Sequence, residues 1–299
     1  MQCVRSGGTC LVACLTVRMN LIDILKLFNS SGVPFEEPRK VKMVRHADSR
    51  WDLEKVRRMG LFDDYQSRQG RDVFSNCGFV VAFMAERGTR SRFLGVYEVG
   101  GVRKPARWPK GWPYGDMGLG SYQYEMIELG GFEDLVDRMI IDWGKGTRSW
   151  FQWLKPRDVI EVLPRGYARD FPGYLDFILE FDELERIVGN PAANRVWHTM
   201  LRGVSGVYLI TDTVDGRLYV GSAFGKGGIL GRWTSYMKSK HGGNKELCAL
   251  LAEHPERYRS FSFTILRTLP RTRTASEVIA VESLYKKKLG SRAFGLNSN

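Results

Sequence analysis

The stretch from Gly206 to Ser222 constrains this chain more than any other. Val207-Tyr208-Leu209-Ile210 and Leu218-Tyr219-Val220 are short β-branched and aromatic runs on either side of Asp215-Gly216. An Asp-Gly pair between two such runs is a strong hairpin signal, because Gly takes positive φ without steric cost. Side chains alternate along a strand, so an even-numbered loop places Tyr208 and Tyr219 on one face of the ribbon. Gly206 and Gly221 stand bare beside the two phenols, which predicts room there for a bulky ligand to approach the backbone.

The residues then name a resemblance. Gly206-Val207-Tyr208 and Tyr219-Val220-Gly221 resemble the two signature triplets of the GIY-YIG nucleases, with valine in place of isoleucine in both. Gly231-Arg232-Trp233 with Tyr236 resembles the family's arginine helix, Glu282 its metal-binding glutamate, and Gly295-Leu296-Asn297 its terminal asparagine motif. The likeness covers roughly residues 203 to 299. Taken singly, Glu282 reads as a solvated helix residue, the tyrosines as strand packing and Arg232 as surface. Their joint order is what carries the resemblance.

Charge agrees with a polyanionic partner. The chain has 299 residues and a net charge of +12. From Gly203 onward 15 Lys and Arg face 7 Asp and Glu, so most of the excess sits in the last third. A basic domain of this kind suits nucleic acid. Cys3, Cys10, Cys14, Cys77 and Cys248 form no C-x-x-C pair, which argues against a zinc finger and fits a reducing, cytoplasmic setting. No apolar run is long enough to span a bilayer. Residues 1–18 read as a disordered leader or upstream extension: Leu11-Val12-Ala13-Cys14 has the look of a lipoprotein cleavage box, but the apolar stretch before it is too short for a signal peptide.

The expected fold class is α/β (α+β): a mainly-β, barrel-like domain over residues 19–200, then a small α/β nuclease domain over 201–299. Gly78 to Met84, Arg92 to Val99, Tyr122 to Leu129, Met139 to Trp143 and Val159 to Leu163 read as strands separated by glycine turns. Asn20 to Phe28 and Asp52 to Met59 read as helices. Tyr174 to Phe181 reads as a closing strand, followed by helices ending at Val188 and Leu201. The Phe93-Leu94-Gly95-Val96-Tyr97 strand resembles strands of PUA-like barrels, a fold that includes readers of modified bases. That resemblance implies a flipped base stacked on aromatics, with Trp51, Tyr65, Trp108, Trp112, Trp143, Trp150 and Trp153 as candidates beside a core-packing reading. Trp108 and Trp112 share a Pro- and Gly-bearing loop, and loops tend to expose what they carry. Arg68 and Arg71 are candidate phosphate contacts beside a plainer reading as residues that solvate a loop.

In the last third, Phe224 to Gly228 is a glycine-rich loop carrying Lys226, without the Ser or Thr of a P-loop. Ile229 to Lys240 reads as a helix with Arg232 and Tyr236 on one face. His241 sits in a loop and reads either as a DNA contact or as a plain loop histidine. Lys245 to Ala252 and Ser276 to Leu289 read as helices, and Phe261 to Leu266 as a strand. The family resemblance implies a tyrosine general base, with Tyr208 favoured and Tyr219 orienting water or phosphate, the two roles being exchangeable. It implies Arg232 on a non-bridging oxygen, Tyr236 on the scissile phosphate, and Asn297 positioning the metal-bearing segment or touching phosphate. Glu282 holds Mg²⁺ (or Mn²⁺), an ion that keeps much of its water and needs few protein ligands. A phenol ionises near roughly 10 and needs a cationic neighbour to act at neutral pH; Arg232, Lys226 and the metal are the candidates.

The expected function is a Mg²⁺-dependent DNA endonuclease, restriction-like or modified-DNA-dependent, with the first domain choosing the target. A DNA repair or mobile-element nuclease and a catalytically inactive DNA-binding protein are the alternatives. One active site cuts one strand, so double-strand cleavage asks for a homodimer or two successive events.

Overall fold

The computed structural model describes residues 19–104, 109–115 and 122–298. The leader and Trp108 lie outside them. The chain divides between Leu163 and Pro164 into two compact units. No helix among the described residues is long and apolar enough to cross a membrane.

The first unit opens with α1 (Leu21–Leu27), whose N-cap Asn20 and N3 residue Asp23 form a capping box. Strands β1 (Val41–His46), β2 (Arg68–Gln69), β3 (Phe79–Ala85), β4 (Arg90–Arg103), β5 (Tyr122–Glu128), β6 (Met139–Asp142), β7 (Phe151–Trp153) and β8 (Val159–Val162) make one mixed sheet. Its main path runs β2-β5-β4-β3-β1-β7. The long strand β4 pairs through its first residues with β6 and through its later ones with β5, so the sheet turns on itself into a half-barrel. The unbroken apolar run of β3 has a direct cause. Val81 and Phe83 pack into one core with Leu21 and Leu25 of α1, and Val80, Ala82 and Met84 into a second on the opposite face. A strand buried on both faces has no polar side to show. The second core is closed by α2 (Leu53–Arg58) and α3 (Phe62–Ser67). The strands expected from sequence are present. The parallel pairing of β1 with β3, the short strand β7 and helix α3 are additions.

The second unit holds a four-stranded antiparallel sheet in the order β11-β10-β12-β9, built from β9 (Leu179–Glu180), β10 (Ser205–Asp212), β11 (Leu218–Ala223) and β12 (Phe261–Leu269). Helices α4 (Phe181–Gly189), α5 (Arg195–Gly203), α6 (Gly228–Ser239), α7 (Lys245–Glu253) and α8 (Ala275–Leu289) surround it. Only Leu179 and Glu180 of the expected Tyr174–Phe181 strand pair in the sheet. Phe177, Leu179, Phe181, Leu184, Ile187, Trp197 and Leu201 join the same core as Tyr208, Trp233 and Phe263. The apolar faces of α4 and α5 are thus packed on the motif-bearing sheet. The hairpin tip is anchored by Arg257, whose Nε donates to the fully buried Asp212 carboxylate at 2.8 and 3.0 Å.

One buried group in the first unit makes stability depend on pH. His46 lies fully within the second core and donates from Nε2 to Gln66 Oε1 at 2.9 Å. Burial pushes its pKa down to about 4, with the Gln66 bond and Asp48 offsetting only part of that. The unfolded chain takes a proton near roughly 6.5 while the folded chain does not. Stability from this group is therefore complete above about pH 6.5 and is lost as pH falls toward 4, on the order of 3 kcal/mol across the window. Thermal melts at pH 7 and 4.5 should show an acid sensitivity in the wild type that a His46→Gln variant lacks. Equal acid slopes in both proteins would refute this assignment.

Candidate active site

The hairpin register pairs Tyr208 with Gly221 and Ile210 with Tyr219, which puts both tyrosines on one face as the alternation predicts. The register against β12 shifts by one residue between Val207 and Tyr208, which leaves Leu266 of β12 as the extra residue of a β-bulge. The spaces beside the two glycines are filled by the protein itself. A Cβ on Gly221 would lie 2.4 Å from the Tyr208 hydroxyl, and one on Gly206 would lie 2.4 Å from the Arg267 carbonyl oxygen. The sequence expectation of open room for a ligand at these positions is therefore corrected: one glycine seats the Tyr208 phenol and the other admits the neighbouring strand.

Helix α6 brings the next residues to the same place. Arg232 Nε donates to the Tyr208 hydroxyl at 3.2 Å, and the Tyr208 and Tyr236 hydroxyls share a hydrogen bond of 3.2 Å. The Arg232 guanidinium lies over the Tyr236 ring, 5.1 Å from its centroid. Tyr219 completes the group, its ring centroid 6.5 Å from that of Tyr208 and 6.3 Å from that of Tyr236. Gly242, at φ +57°, is pressed against the Tyr236 ring, with its Cβ position 2.6 Å from a ring carbon. Trp233 and Met237 form the core stripe of α6 as expected.

The electrostatics of the cluster run against an ionised phenol at Tyr208. Burial pushes its pKa up, Tyr219 adds to the rise, and Arg232 and the Tyr236 bond offset only part of it. Tyr236 is raised for the same reasons. Burial works against the Arg232 charge, but the Tyr208 and Tyr236 phenols beside it outweigh that and hold the guanidinium firmly protonated. Tyr208 and Tyr236 are fully buried, whereas Tyr219 keeps 8% exposure. The favoured sequence assignment of Tyr208 as base thus meets an environment that keeps it neutral.

Glu282 reaches the hairpin from α8. One carboxylate oxygen accepts from the Ser222 hydroxyl, and the other pairs with Lys286 Nζ at 2.7 Å. Ser222 follows Gly221 directly, but alternation turns it to the opposite ribbon face. The phenol cluster and the carboxylate therefore approach β11 from its two faces, and β11 is the edge strand of the sheet. No group of three or more His, Cys, Asp or Glu among the described residues could hold a metal ion. Glu282 alone supplies a hard, partly exposed carboxylate, which fits a largely hydrated Mg²⁺ and not a fully caged ion.

The other expected residues fall out differently. Asn297 is buried and both ends of its amide are used: Oδ1 accepts from Val220 N at 2.9 Å and Nδ2 donates to Val220 O at 2.9 Å. It clamps β11 between Tyr219 and Gly221. His241 is half-buried, and its Nδ1 accepts from Gly243 N at 3.0 Å and faces Cys248 Sγ at 3.1 Å, so the expected exposed DNA contact is replaced by a loop-internal one. Lys226 is exposed in the loop between β11 and α6. Arg68 is buried and donates to the Asp64 carbonyl at 2.8 Å, which removes it from the phosphate candidates. Arg71 is exposed, with its guanidinium 5.6 Å from the centre of the Phe151 ring. Trp143 is fully buried core. Trp51, Tyr65 and Trp112 come together: Tyr65 and Trp112 are parallel with centroids 6.5 Å apart, and Trp51 stands edge-on to both at 5.7 and 5.1 Å. Sequence reasoning passed over Ser222 and Lys286. Each carried a signal, Ser222 by following the second triplet and Lys286 by lying one helical turn after Glu282.

The fit of Tyr208 over Gly221 gives a direct test. A Gly221→Ala substitution forces the phenol off its seat and breaks its bonds to Arg232 and Tyr236, at a folding cost of about 1–3 kcal/mol. Melting should show a modest loss, while nicking of supercoiled plasmid falls by about a hundredfold or more, as expected for misplaced reacting groups. Near-wild-type nicking by the folded variant would show that the seat is dispensable.

The model of the GIY-YIG family, described as the GIY-YIG catalytic domain, matches residues 204–297. Among solved structures, a mutant catalytic domain of the intron endonuclease I-TevI is 26% identical over 32% of this chain and 94% of that chain, with a TM-score of 0.27. A second structure of the catalytic domain of the homing endonuclease I-TevI is 26% identical over 31% of this chain and 96% of that one, with a TM-score of 0.26. No curated protein matches the chain. The family match spans both triplets, the Arg232–Tyr236 helix, Glu282 and Asn297, and residues 204–297 of this chain are the catalytic domain of a GIY-YIG nuclease.

Proposed function

We propose that the protein is a Mg²⁺- or Mn²⁺-dependent DNA endonuclease whose first unit chooses the target, in a restriction-like or modified-DNA-dependent role. The observation that carries this reading is the joining of Tyr208, Tyr236 and Arg232 in one hydrogen-bonded group, with Glu282 anchored to Ser222, the residue after the Gly221 that seats Tyr208. All the residues a hydrolytic site needs are present, which counts against a binding-only protein.

Each group has a part to play. Arg232 spends Nε on Tyr208, and its two terminal nitrogens have no hydrogen-bond partner among the described residues. They hold a non-bridging phosphate oxygen as negative charge gathers in the transition state. Tyr208 and Tyr236 keep the guanidinium in place. Tyr219, the least buried of the three phenols, takes the proton from the attacking water. Ser222 fixes the orientation of Glu282. The ion that Glu282 would hold supplies Lewis-acid stabilisation of the phosphoryl group and of the departing oxygen.

In the first unit, the Tyr65–Trp51–Trp112 arrangement supports a base-stacking site. The centroid distances form a triangle with Trp51 well off the line between the parallel pair. Gln66, next to Tyr65, is fully buried, and its Nε2 has no hydrogen-bond partner among the described residues, a donor costly to leave unmet. A cluster of aromatic rings with an unmet amide donor on the adjoining residue suits a base turned out of its stack.

Two experiments test the reading. Wild-type protein with Mg²⁺ should nick plasmid or modified phage DNA, while Glu282→Ala and Tyr219→Phe lose about a hundredfold or more. Cleavage by Glu282→Ala at the wild-type rate would remove Glu282 from the metal site. For target choice, Trp112→Ala should weaken binding to a duplex with one unpaired base by about tenfold, the worth of one stacking contact, and leave fully paired duplex unaffected. Equal weakening on both duplexes would make the cluster merely structural.

A further inference from the structure

We infer that Lys286 is a resident counter-cation of the Glu282 carboxylate, so that the site holds a divalent ion weakly by itself and takes it up in concert with a DNA phosphate. This rests on the reading of Glu282 as the metal ligand.

Three observations lead there. Lys286 and Glu282 are one turn apart on α8, and Nζ lies 2.7 Å from Oε1. The two side chains are 5% and 15% exposed. The last turn of α8 carries Lys286, Lys287 and Lys288, and Lys286 alone is buried. A Glu–Lys pair spaced this way on a solvated helix adds little and is screened by salt. A buried ammonium is a different matter, since it loses its hydration and must be met by an opposite charge. The second Glu282 oxygen accepts from Ser222. The carboxylate is thus gripped at both oxygens and nearly neutralised before any metal arrives.

An incoming dication then meets an attraction to Glu282 that is opposed by repulsion from the nearby ammonium, in a part of the protein where charges are poorly screened. A phosphate oxygen delivered by DNA restores the negative charge the ion needs. The same coupling acts in reverse, because each ligand must tighten the other by one factor. The outcome is a nuclease whose carboxylate gathers its ion mainly when substrate is in place.

The test titrates Mn²⁺ into the full chain without DNA, reading free Mn²⁺ by electron paramagnetic resonance. Lys286→Met and Lys286→Gln should bind Mn²⁺ about tenfold tighter than wild type or more. Lys286→Arg, which keeps the charge, should match wild type. Unchanged or weaker affinity in the folded neutral variants overturns the proposal, and so does equal tightening in Lys286→Arg. Should the neutral variants fail to fold, the coupling can be read on Tyr219→Phe protein by fluorescence anisotropy of a labelled duplex. Millimolar Mn²⁺ should tighten that binding about tenfold, and no tightening overturns the proposal. Wild-type Mn²⁺ affinity in Glu282→Ala would instead show that the metal reading itself is wrong, which separates the two failures.

Discussion

The catalytic domain depends on one close contact, the Tyr208 phenol lying over the bare backbone of Gly221. The hydroxyl could not be there if residue 221 had a side chain. Once seated, it gives Arg232 and Tyr236 something to bind, and so fixes the rotation of α6 about its own axis. Gly242 repeats the device on the far side of Tyr236, where only a residue without Cβ lets the loop close against the ring. Both glycines are explained by the phenol ring that lies against them.

The placement of these groups also explains the shape of the electrostatics. Burying Tyr208 and Tyr236 around one guanidinium leaves those two phenols neutral and the guanidinium charged, because each phenol favours the cation and burial disfavours the phenolate. That face of β11 rests with a fixed positive charge. On the other face the negative charge of Glu282 is balanced by Lys286. The resting site therefore carries a net positive bias at a sheet edge, which is where a phosphate can reach both faces. Asn297 contributes by holding the edge strand itself: its two-point bond to Val220 satisfies an edge donor and acceptor that would otherwise be open.

Much of this was legible in the chain, and the parts that were not share a cause. The hairpin, the shared face of Tyr208 and Tyr219 and the stripe on α6 follow from local period and turn chemistry. The roles of Gly221, Asn297, His241 and Arg68 depend on partners distant in sequence or on burial, and no local pattern reports those. Asn297 was recognisable as part of a motif, yet only its bond across 77 residues to Val220 shows it to be a clamp. Arg68 looked like a surface cation because arginine usually is one. The burial of α4 and α5 on the nuclease sheet was also hidden, since an amphipathic helix announces that it has a partner without saying which one.

The first unit presents a converse problem, and its solution bears on how a target is chosen. Its central strands are buried between two apolar cores, while β5, β8 and the end of β4 keep exposed faces. Trp51 follows β1, Tyr65 sits on α3, and Trp112 and Tyr114 lie in the segment between β4 and β5. These rings gather from separate segments, with Tyr114 parallel to Trp51 at 6.5 Å and its hydroxyl accepting from Asp52 N at 3.0 Å. A rigid double-sided core that fixes the roots of such segments can keep its fold while their tips change. On the proposed base-stacking reading, preference for one base over another rests with a handful of side chains in this cluster, and the stability of the unit with the residues beneath them.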